Sequence, residues 1–446
     1  MPLGTVIVEA GPSMDLLARK LALATIGLAA GRHRIAIACD RGQEQWLAER
    51  LPDRFRGTAI AAIEAWPEDL PIDTPRVAFL PADAEFSPPG WLDVPPEGMI
   101  IRPWVRPIVP LEHGAMGYAK PATAWAAPVG ILREVLRARL RDLRLDAVVA
   151  CLERQGVPLS FRSTQAFAEG TGTPPAVAGP PRLHRGSRVL AIVPHFRCEA
   201  WLGPCLRSLK AQTLAPQSIV VVDDASPTPP RDIVAAFPGV TLLCSRENVG
   251  PFRLVQTVIE KTRFDAYMFQ DADDWSASDR LALLLDGAER TGAELIGCQE
   301  LRFDLPDGVS AHCYVPNASR SLGAVQRYSI LHPTSLVSRD LVTRVGGFAT
   351  GLKFGGDLEF QLRAHHRGHV VNIERYGYFR RQREGSLWTS PDTGRHSAVR
   401  QTQVNQIVER ARANARAVAH GQTPDLRPFR HAGPIALEHL LGPALF

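Results

Sequence analysis

The sequence predicts an α/β protein of more than one domain, and three observations support this fold class. After residue 188, short apolar strands alternate with helical segments. A weaker form of the same alternation occupies the first half of the chain, and a segment rich in glycine and proline separates the two. Strands that are apolar on both faces are typical of a parallel sheet covered by helices on either side. A chain of 446 residues is long enough for two or three such domains.

The predicted domain boundaries follow from composition. Residues 169–187 combine glycine and proline with few large apolar side chains, which indicates a linker. This linker separates an N-terminal α/β domain over residues 1–168 from a second α/β domain over residues 188–395. Apolar residues then recur at helical spacing from residue 398 to residue 420, so we predict that residues 396–446 form a helical tail.

The second domain has the clearer pattern. Its predicted strands cover residues 188–193, 218–222, 240–244 and 267–269, and its predicted helices cover residues 200–212, 231–237 and 252–261. In folds of this kind, ligands bind beyond the carboxyl ends of the strands. Two groups of acidic residues, 223–224 and 271–274, directly follow predicted strands, so we expect a ligand site at this edge of the sheet.

The first half repeats this plan less clearly. Strands are predicted over residues 6–8, 34–39 and 77–80, and helices over residues 15–30 and 43–51. When the segment after the third strand is aligned with the segment after residue 269, Ala82 and Ala84 stand opposite Asp271 and Asp273. The first domain is therefore either a degenerate copy of the second that lacks the acidic side chains or an unrelated α/β domain.

Charge and cysteine content exclude several classes of protein. The net charge is +5 and the pI about 8.9, but the basic residues are scattered and form no dense tract of the kind that binds nucleic acid. The seven cysteines include no C-x-x-C pair, which argues against a zinc cluster or a disulfide framework and suits a reducing cytosol.

The sequence pattern does not predict a signal peptide or a transmembrane helix. The N-terminus is typical of a strand rather than of a signal peptide, and the apolar segment 16–30 is too short and too charged to span a bilayer. We therefore expect a cytoplasmic protein with no transmembrane segment. Peripheral association with the inner face of a membrane stays open, because the chain is weakly basic.

The most informative segment is the acidic cluster at Asp271, Asp273 and Asp274. Like charges this close repel each other unless a positive group lies between them. A divalent cation bound through oxygen ligands would serve. The alternative is a turn after a strand, in which an Asp caps the next helix.

Several segments of residues 188–390, taken in order, resemble the family 2 glycosyltransferases of the GT-A fold. They are Val193-Pro194-His195-Phe196-Arg197, Ser208-Leu209-Lys210-Ala211-Gln212-Thr213, Val221-Val222-Asp223-Asp224-Ala225-Ser226, Asn248-Val249-Gly250, Asp271-Ala272-Asp273, Val345-Gly346-Gly347-Phe348, Gly355-Gly356-Asp357-Leu358-Glu359 and Phe379-Arg380-Arg381-Gln382-Arg383. The chain departs from the family pattern at four positions. Phe196 stands in place of Tyr, Arg197 of Asn, Gly356 of Glu and Arg383 of His.

The resemblance implies a role for each matching residue. Asp357 would be the catalytic base, Asp271 and Asp273 would hold Mn2+ or Mg2+ against the donor diphosphate, and Asp224 would contact the base. Arg381 and Arg383 would bind the diphosphate. The full set predicted to bind the nucleotide sugar is Pro194, Phe196, Glu199, Asp223, Asp224, Asn248, Gly250, Arg253, Asp271, Arg381 and Arg383.

The resemblance also implies an activity. It predicts an inverting, metal-dependent hexosyltransferase that moves a sugar from a UDP- or GDP-sugar to a glycan or lipid-linked acceptor hydroxyl, in polysaccharide or glycoconjugate assembly. The departures at Arg197, Gly356 and Arg383 leave open a non-catalytic protein that binds a sugar nucleotide or glycan, or a scaffold partner in a glycan assembly complex. A phosphatase of the D-x-D-x-[TV] type is disfavoured, because Trp275 occupies the last position of that pattern.

Overall fold

The structure is a computed structural model. It describes residues 4–11, 13–14, 17–18, 21, 33–55, 58–62, 74, 76–80, 100–101, 117–119, 125–138, 140, 142–166, 182–304, 308–383, 385–387, 389–390, 393–394 and 397–446. Most of the predicted linker and of the predicted helix over residues 15–30 lies outside the described residues, as do Ala82 and Ala84.

The chain divides into two compact units. The first comprises residues 1–107, 119–165 and 302–311, and the second comprises residues 108–118, 166–301 and 312–446. The finer boundaries predicted from composition stay a prediction.

The first unit contains a five-stranded sheet. Its strands are β1 (Gly4–Glu9), β2 (His33–Cys39), β3 (Ala59–Ala62), β4 (Arg76–Leu80) and β7 (Trp125–Pro128), and the short strands β5 (Ile100–Ile101), β8 (Ser160–Phe161) and β9 (Thr164–Gln165) also belong to this unit. Strand β6 (Gly117–Ala119) begins in the residue range of the second unit. The helices are α1 (Glu44–Arg50), α2 (Val129–Arg137) and α3 (Leu145–Arg154). The sheet order is β3-β2-β1-β4-β7, in which β7 is antiparallel and the others are parallel.

From residue 182 onward the chain forms a longer series of elements. The strands are β10 (Val189–His195), β11 (Ser218–Asp223), β12 (Val240–Ser245), β13 (Ala266–Phe269), β14 (Trp275–Ser276), β15 (Leu295–Asp304), β16 (Gly308–Cys313), β17 (Ser335–Ser338), β18 (Val370–Arg381) and β19 (Leu437–Leu441). The helices are α4 (Glu199–Lys210), α5 (Arg231–Ala235), α6 (Pro251–Lys261), α7 (Arg280–Thr291), α8 (Ala318–Val325), α9 (Arg339–Arg344), α10 (Gly356–Ala364) and α11 (Ala398–Ala419).

The sheet of the second unit is mixed. Strands β12, β11, β10 and β13 lie side by side and parallel, as the alternating pattern predicts. Antiparallel β17 follows next to β13, and antiparallel β19 closes the other edge beside β12. The chain order of the parallel strands reverses between β10 and β13. Such a reversal opens a crevice at the carboxyl ends of the two strands, which is where ligands bind in α/β sheets.

The C-terminal region differs from its prediction. Residues 398–419 are helical, as expected from their spacing, but the prediction of a helical tail over residues 396–446 is wrong beyond that helix. Residues 437–441 form β19 and extend the sheet by pairing with β12. Its side chains Leu437, Leu440 and Leu441 pack against the two cores of the second unit.

Apolar side chains fill both faces of the second sheet, as expected for buried parallel strands. On one face, Leu190, Ile192 and Val220 pack with α6 and α10. On the other face, Ala191, Val193 and Val221 pack with α4 and α7.

A cavity of about 550 Å³ lies at the amino ends of β10 and β13, opposite the acidic residues. Its lining is mostly charged and consists of Arg182, His184, Ser187, Arg188, Arg263, Phe264, Asp265, Ser338, Arg339, Asp340 and Thr343. Two of its arginines form ion pairs, Arg188 with Asp265 and Arg182 with Asp340.

Two further expectations from the sequence can be compared with the described residues. The seven cysteines all lie in the described part of the chain and carry free thiols. None of the helices that the structure describes is long and apolar enough to cross a membrane.

Candidate functional site

The ends of β10 and β11 are joined by a buried His–Asp pair. The N–H of Cys198 donates to Nε2 of His195 at 3.3 Å, so Nδ1 carries the proton and donates to Oδ1 of Asp223 at 2.7 Å. Burial opposes ionisation of Asp223, but the hydrogen bonds from His195 and Ser226 outweigh it and lower its pKa. Asp223 is therefore an anion that fixes the strand ends, and it is fully buried.

Asp224 holds the loop that leads into α6. Its Oδ1 and Oδ2 accept the backbone N–H groups of Val249 and Gly250 at 2.8 and 2.9 Å, and Asn248 donates to its carbonyl oxygen at 3.1 Å. Burial raises the pKa of Asp224 despite these donors. Gly250 has φ +87° and open space where a side chain would begin, so a ligand can approach the backbone here.

The acidic cluster lies where β13 ends, as predicted. Burial and the charge of Asp273 raise the pKa of Asp271 to about 7, and the charge of Asp357 adds to this effect. The charges of Asp273 and Asp357 both act on Asp271, which places the three carboxylates in one region without making them a common metal-binding group. The sequence separates Asp271 from Asp357 by α7 to α9, and the fold brings them together.

Asp274 does not face outward with its neighbours. Its Oδ2 accepts the hydroxyl of Tyr378 at 2.7 Å, and its Oδ1 accepts the backbone N–H of Arg381 at 2.7 Å. Burial and the charges of Asp273 and Asp271 raise its pKa. Asp274 thus ties the acidic turn to β18, which carries the basic residues of the site.

Arg383 makes the most important contact of the site. Its Nε donates to Oδ2 of Asp273 at 2.6 Å, and both side chains are more than four-fifths buried. The guanidinium carbon lies 4.7 Å from the ring centre of Trp201, and Nη2 lies 3.2 Å from Sγ of Cys198. These contacts fix the basic segment after β18 over the acidic cluster.

Arg381 is placed by a second tryptophan. Its guanidinium lies 4.3 Å from the ring centre of Trp275, and its Nε donates to the carbonyl oxygen of Asp273 at 3.3 Å. Neighbouring Arg380 lowers the pKa of both Asp271 and Asp274 through its charge. The positive charges of Arg380, Arg381 and Arg383 therefore all lie near the carboxylates.

Asp357 lies in the first turn of α10. Burial raises its pKa, while the N–H of Leu358 and the hydroxyl of Tyr328 oppose the rise. The hydroxyl of Tyr328 donates to Oδ1 at 3.2 Å. A half-buried carboxylate with a raised pKa is suited to accept a proton.

Gly356 explains one departure from the family pattern. A Cβ at this position would lie 2.7 Å from the ring of Phe252, so the usual Glu does not fit. Glu359 does not replace the missing carboxylate, because it is buried and bonded to Arg363 and to the N–H of Phe429.

Four other predicted residues make no hydrogen bond or ion pair with Asp271, Asp273 or Asp357 in the described part of the chain. Arg253 donates to the carbonyl oxygen of Gly433, and Glu199 is exposed in the first turn of α4. Phe196 is 39% exposed, with the guanidinium of Arg197 5.0 Å from its ring centre. Pro194 is a half-buried residue of β10. Direct roles of these residues in nucleotide binding stay predictions.

Three contacts of the site had no signal in the sequence. Tyr328 contacts Asp357, and Trp201 contacts Arg383, but the partners of each pair are far apart in the sequence. None of the motifs contains Tyr328. Tyr378 lies in an apolar stretch of β18, where the strand pattern predicts only packing. The ring of His332 stacks on Phe269 with the ring centres 4.0 Å apart, and burial lowers its pKa to about 3.

The fit of a divalent cation can be tested on these residues. Carboxylate oxygens are suitable ligands for Mn2+ and Mg2+. However, the carboxylate of Asp273 already accepts a hydrogen bond from the guanidinium of Arg383, and that of Asp274 accepts one from Tyr378. Across the described ranges, no three His, Cys, Asp or Glu side chains converge where a metal ion could be held. The site as it stands does not fit a divalent cation.

Comparison with known families agrees with the motifs. Residues 190–332 match the model of the family described as Glycosyl transferase family 2. This match confirms the resemblance, and the chain therefore carries a family 2 glycosyltransferase domain of the GT-A fold, preceded by an N-terminal sheet domain. Asp357, Arg381 and Arg383 lie beyond the matched segment, so their roles stay predictions. No curated protein matches the chain in sequence.

Solved structures show a distant likeness. A fragment of TarS from S. aureus in complex with UDP is 18% identical, with 51% of this chain and 66% of that chain covered and a TM-score of 0.39. The same fragment with UDP-GlcNAc is 19% identical, with 52% and 73% covered and a TM-score of 0.38. A mannosyltransferase from Pyrobaculum calidifontis in complex with GDP-Man and Mn2+ is 19% identical, with 57% and 70% covered and a TM-score of 0.40.

Replacing Gly356 by alanine tests the packing that excludes Glu. Because the new Cβ would overlap the ring of Phe252, we expect Gly356→Ala to lower the free energy of unfolding by about 1–3 kcal/mol. The measurement is urea denaturation followed by circular dichroism. The control is Gly203→Ala in α4, where no atom lies within 4 Å of the Cβ position. This substitution should leave the free energy of unfolding unchanged or raise it. Equal stability of the two variants would contradict the assigned contact.

Proposed function

We propose that the second unit transfers a sugar from a nucleoside diphosphate donor to an acceptor hydroxyl, with inversion at the anomeric carbon. The family match supports the class of reaction. The observation that carries the proposal is the contact of Asp273 with Arg383 at the carboxyl ends of β10 and β13, together with the charges of Asp273 and Asp357 that act on Asp271. This is the edge at which α/β sheets bind ligands.

Asp357 is the proposed base. In a single displacement, the acceptor oxygen attacks the anomeric carbon while the bond from that carbon to the diphosphate breaks. The diphosphate leaves with the electron pair, and the acceptor proton passes to Asp357. Burial brings the pKa of this carboxyl closer to neutrality, and it stays a base because Tyr328 donates a hydrogen bond to it.

The arginines are the proposed partners of the leaving group. Guanidinium groups stay charged and bind phosphate oxygens through parallel hydrogen bonds. Arg381 and Arg383 are held against Trp275 and Trp201, so their positive charge is fixed before the donor binds. Dependence on Mn2+ or Mg2+, which the D-x-D pattern predicts, stays a prediction, and the steps above need only the residues of the chain.

The partners of the reaction are proposed by class. The donor would be a UDP- or GDP-sugar, with Asp224 and the open backbone at Gly250 near the base. The acceptor would be a glycan or lipid-linked hydroxyl in polysaccharide or glycoconjugate assembly.

We also propose that the first unit is a degenerate copy of the second. Its strand order β3-β2-β1-β4-β7 has the same pattern as β12-β11-β10-β13-β17. In both sheets the first four strands are parallel, and the fifth is antiparallel to the fourth. This correspondence supports the alignment that sets alanines against Asp271 and Asp273. A role in recruiting a partner is open to such a domain.

A non-catalytic protein that binds a sugar nucleotide is the second candidate function. The observation that favours it is the loss of one carboxylate at Gly356, together with the occupied state of Asp273. The two candidates agree on donor binding and differ on turnover.

Turnover separates them. We expect the wild type to hydrolyse or transfer from one of the UDP-, GDP- or dTDP-sugars, and Asp357→Asn to lower kcat by about 10²–10⁴-fold, because the proton acceptor is lost. Donor affinity, measured by calorimetry, should stay within about threefold, since Asp357 is proposed to act on the acceptor. The control is Asp232→Asn, an exposed acid of α5. Binding without turnover in the wild type would favour the second candidate.

The pH dependence tests the identity of the base. Activity should fall as pH falls through the pKa of Asp357, which burial places above the ordinary value. Tyr328→Phe removes a hydrogen bond that lowers this pKa, so the acidic limb of kcat/KM should move to higher pH. In the matched control Tyr376→Phe, the lost hydroxyl contacts Cys313 instead, and the limb should not move. An unshifted limb in Tyr328→Phe would rule Asp357 out as the titrating base.

A further inference from the structure

Arg383 lies where the acidic pattern predicts a metal ion. Its guanidinium is bonded to Asp273, the carboxylate that the D-x-D pattern assigns to the ion. We infer that Arg383 is the resident cation of this cluster, so that the site binds the donor diphosphate without a divalent metal. This inference rests on the proposed function, because it names the group that meets the diphosphate.

The guanidinium is held in place before any ligand arrives. Asp273 lies 2.6 Å from Nε, the ring of Trp201 lies 4.7 Å from the guanidinium carbon, and Sγ of Cys198 lies 3.2 Å from Nη2. The side chains of Arg383 and Asp273 are only 18% and 17% exposed. A cation fixed in this way loses little conformational freedom when it binds phosphate.

The orientation leaves donors for a ligand. A guanidinium has five N–H groups. The Nε–H donates to Asp273, and one N–H of Nη2 donates to Sγ of Cys198. Nη1 has no hydrogen-bond partner among the residues that the structure describes. The remaining N–H groups can bind two phosphate oxygens side by side. Asp273 and a phosphate would then bind to two different edges of the same guanidinium, whose positive charge offsets the negative charges of both.

A divalent ion would have to displace this arrangement. Arg383 repels a second cation at Asp273, and both oxygens of Asp274 already accept hydrogen bonds from Tyr378 and Arg381. Asp271 alone is a weak site for a hard cation that prefers six or more oxygen ligands. The guanidinium itself cannot act as a metal ligand, whereas the imidazole of a histidine at this position could.

Calorimetry with UDP and with GDP tests the inference, in EDTA and in Mn2+. The wild type should bind one nucleotide equally well in both, within about twofold. Arg383→Gln should lose about tenfold or more in affinity, and Mn2+ should not restore it. Arg383→His should bind weakly in EDTA and gain about tenfold in Mn2+, because the histidine frees Asp273 and adds a metal ligand. Electron paramagnetic resonance should show Mn2+ bound to Arg383→His and free in the presence of the wild type.

Two comparisons make the outcome decisive. Arg412→Gln removes an exposed arginine of α11 and should leave nucleotide affinity unchanged, and thermal melting should show that all variants are folded. A wild type whose nucleotide affinity falls about tenfold in EDTA would overturn the inference and leave the proposed function standing. A wild type that binds neither UDP nor GDP in either buffer would contradict the proposed function, and the inference would fall with it.

Discussion

The site depends on keeping several carboxylates close together at one end of a sheet. Each carboxylate is tolerated for a different physical reason. Asp274 is bonded to Tyr378 and to the backbone, Asp273 is paired with Arg383, and burial and the charge of Asp273 raise the pKa of Asp271, which lessens the charge it must carry. Such crowding costs stability, and it persists because β13 and β18 hold the groups rigidly. The same crowding makes the edge able to meet a charged ligand.

The order of the strands creates the space for this cluster. Because the chain order of the parallel strands reverses between the neighbours β10 and β13, a crevice opens at their carboxyl ends. The His195–Asp223 pair fixes one side of that crevice, and the Asp274–Tyr378 hydrogen bond fixes the other. The aromatic rings of Trp201 and Trp275 then support the arginines above it. The fold thus supplies a rigid frame, and the chemistry is confined to side chains at its edge.

The parallel strands and their helices could be predicted because wholly apolar runs and helical periodicity are local signals. The structure confirms those elements to within one or two residues at most ends. Strand β19 could not be predicted, since it pairs with β12, a strand far away in the sequence, and no local pattern encodes that pairing. The motifs located Asp273 and Arg383 individually, but their contact spans 110 positions, and no local pattern encodes it. For the same reason, the sequence does not predict that Phe252 packs against Gly356.

A crystal structure of the protein with bound UDP or GDP is the most direct measurement of where the ligand lies. The diphosphate should be found at the carboxyl ends of β10 and β13, with its oxygens within hydrogen-bonding distance of the guanidinium of Arg383. A nucleotide seated elsewhere, for instance in the cavity at the amino ends of the strands, would contradict the assignment of this edge as the donor site.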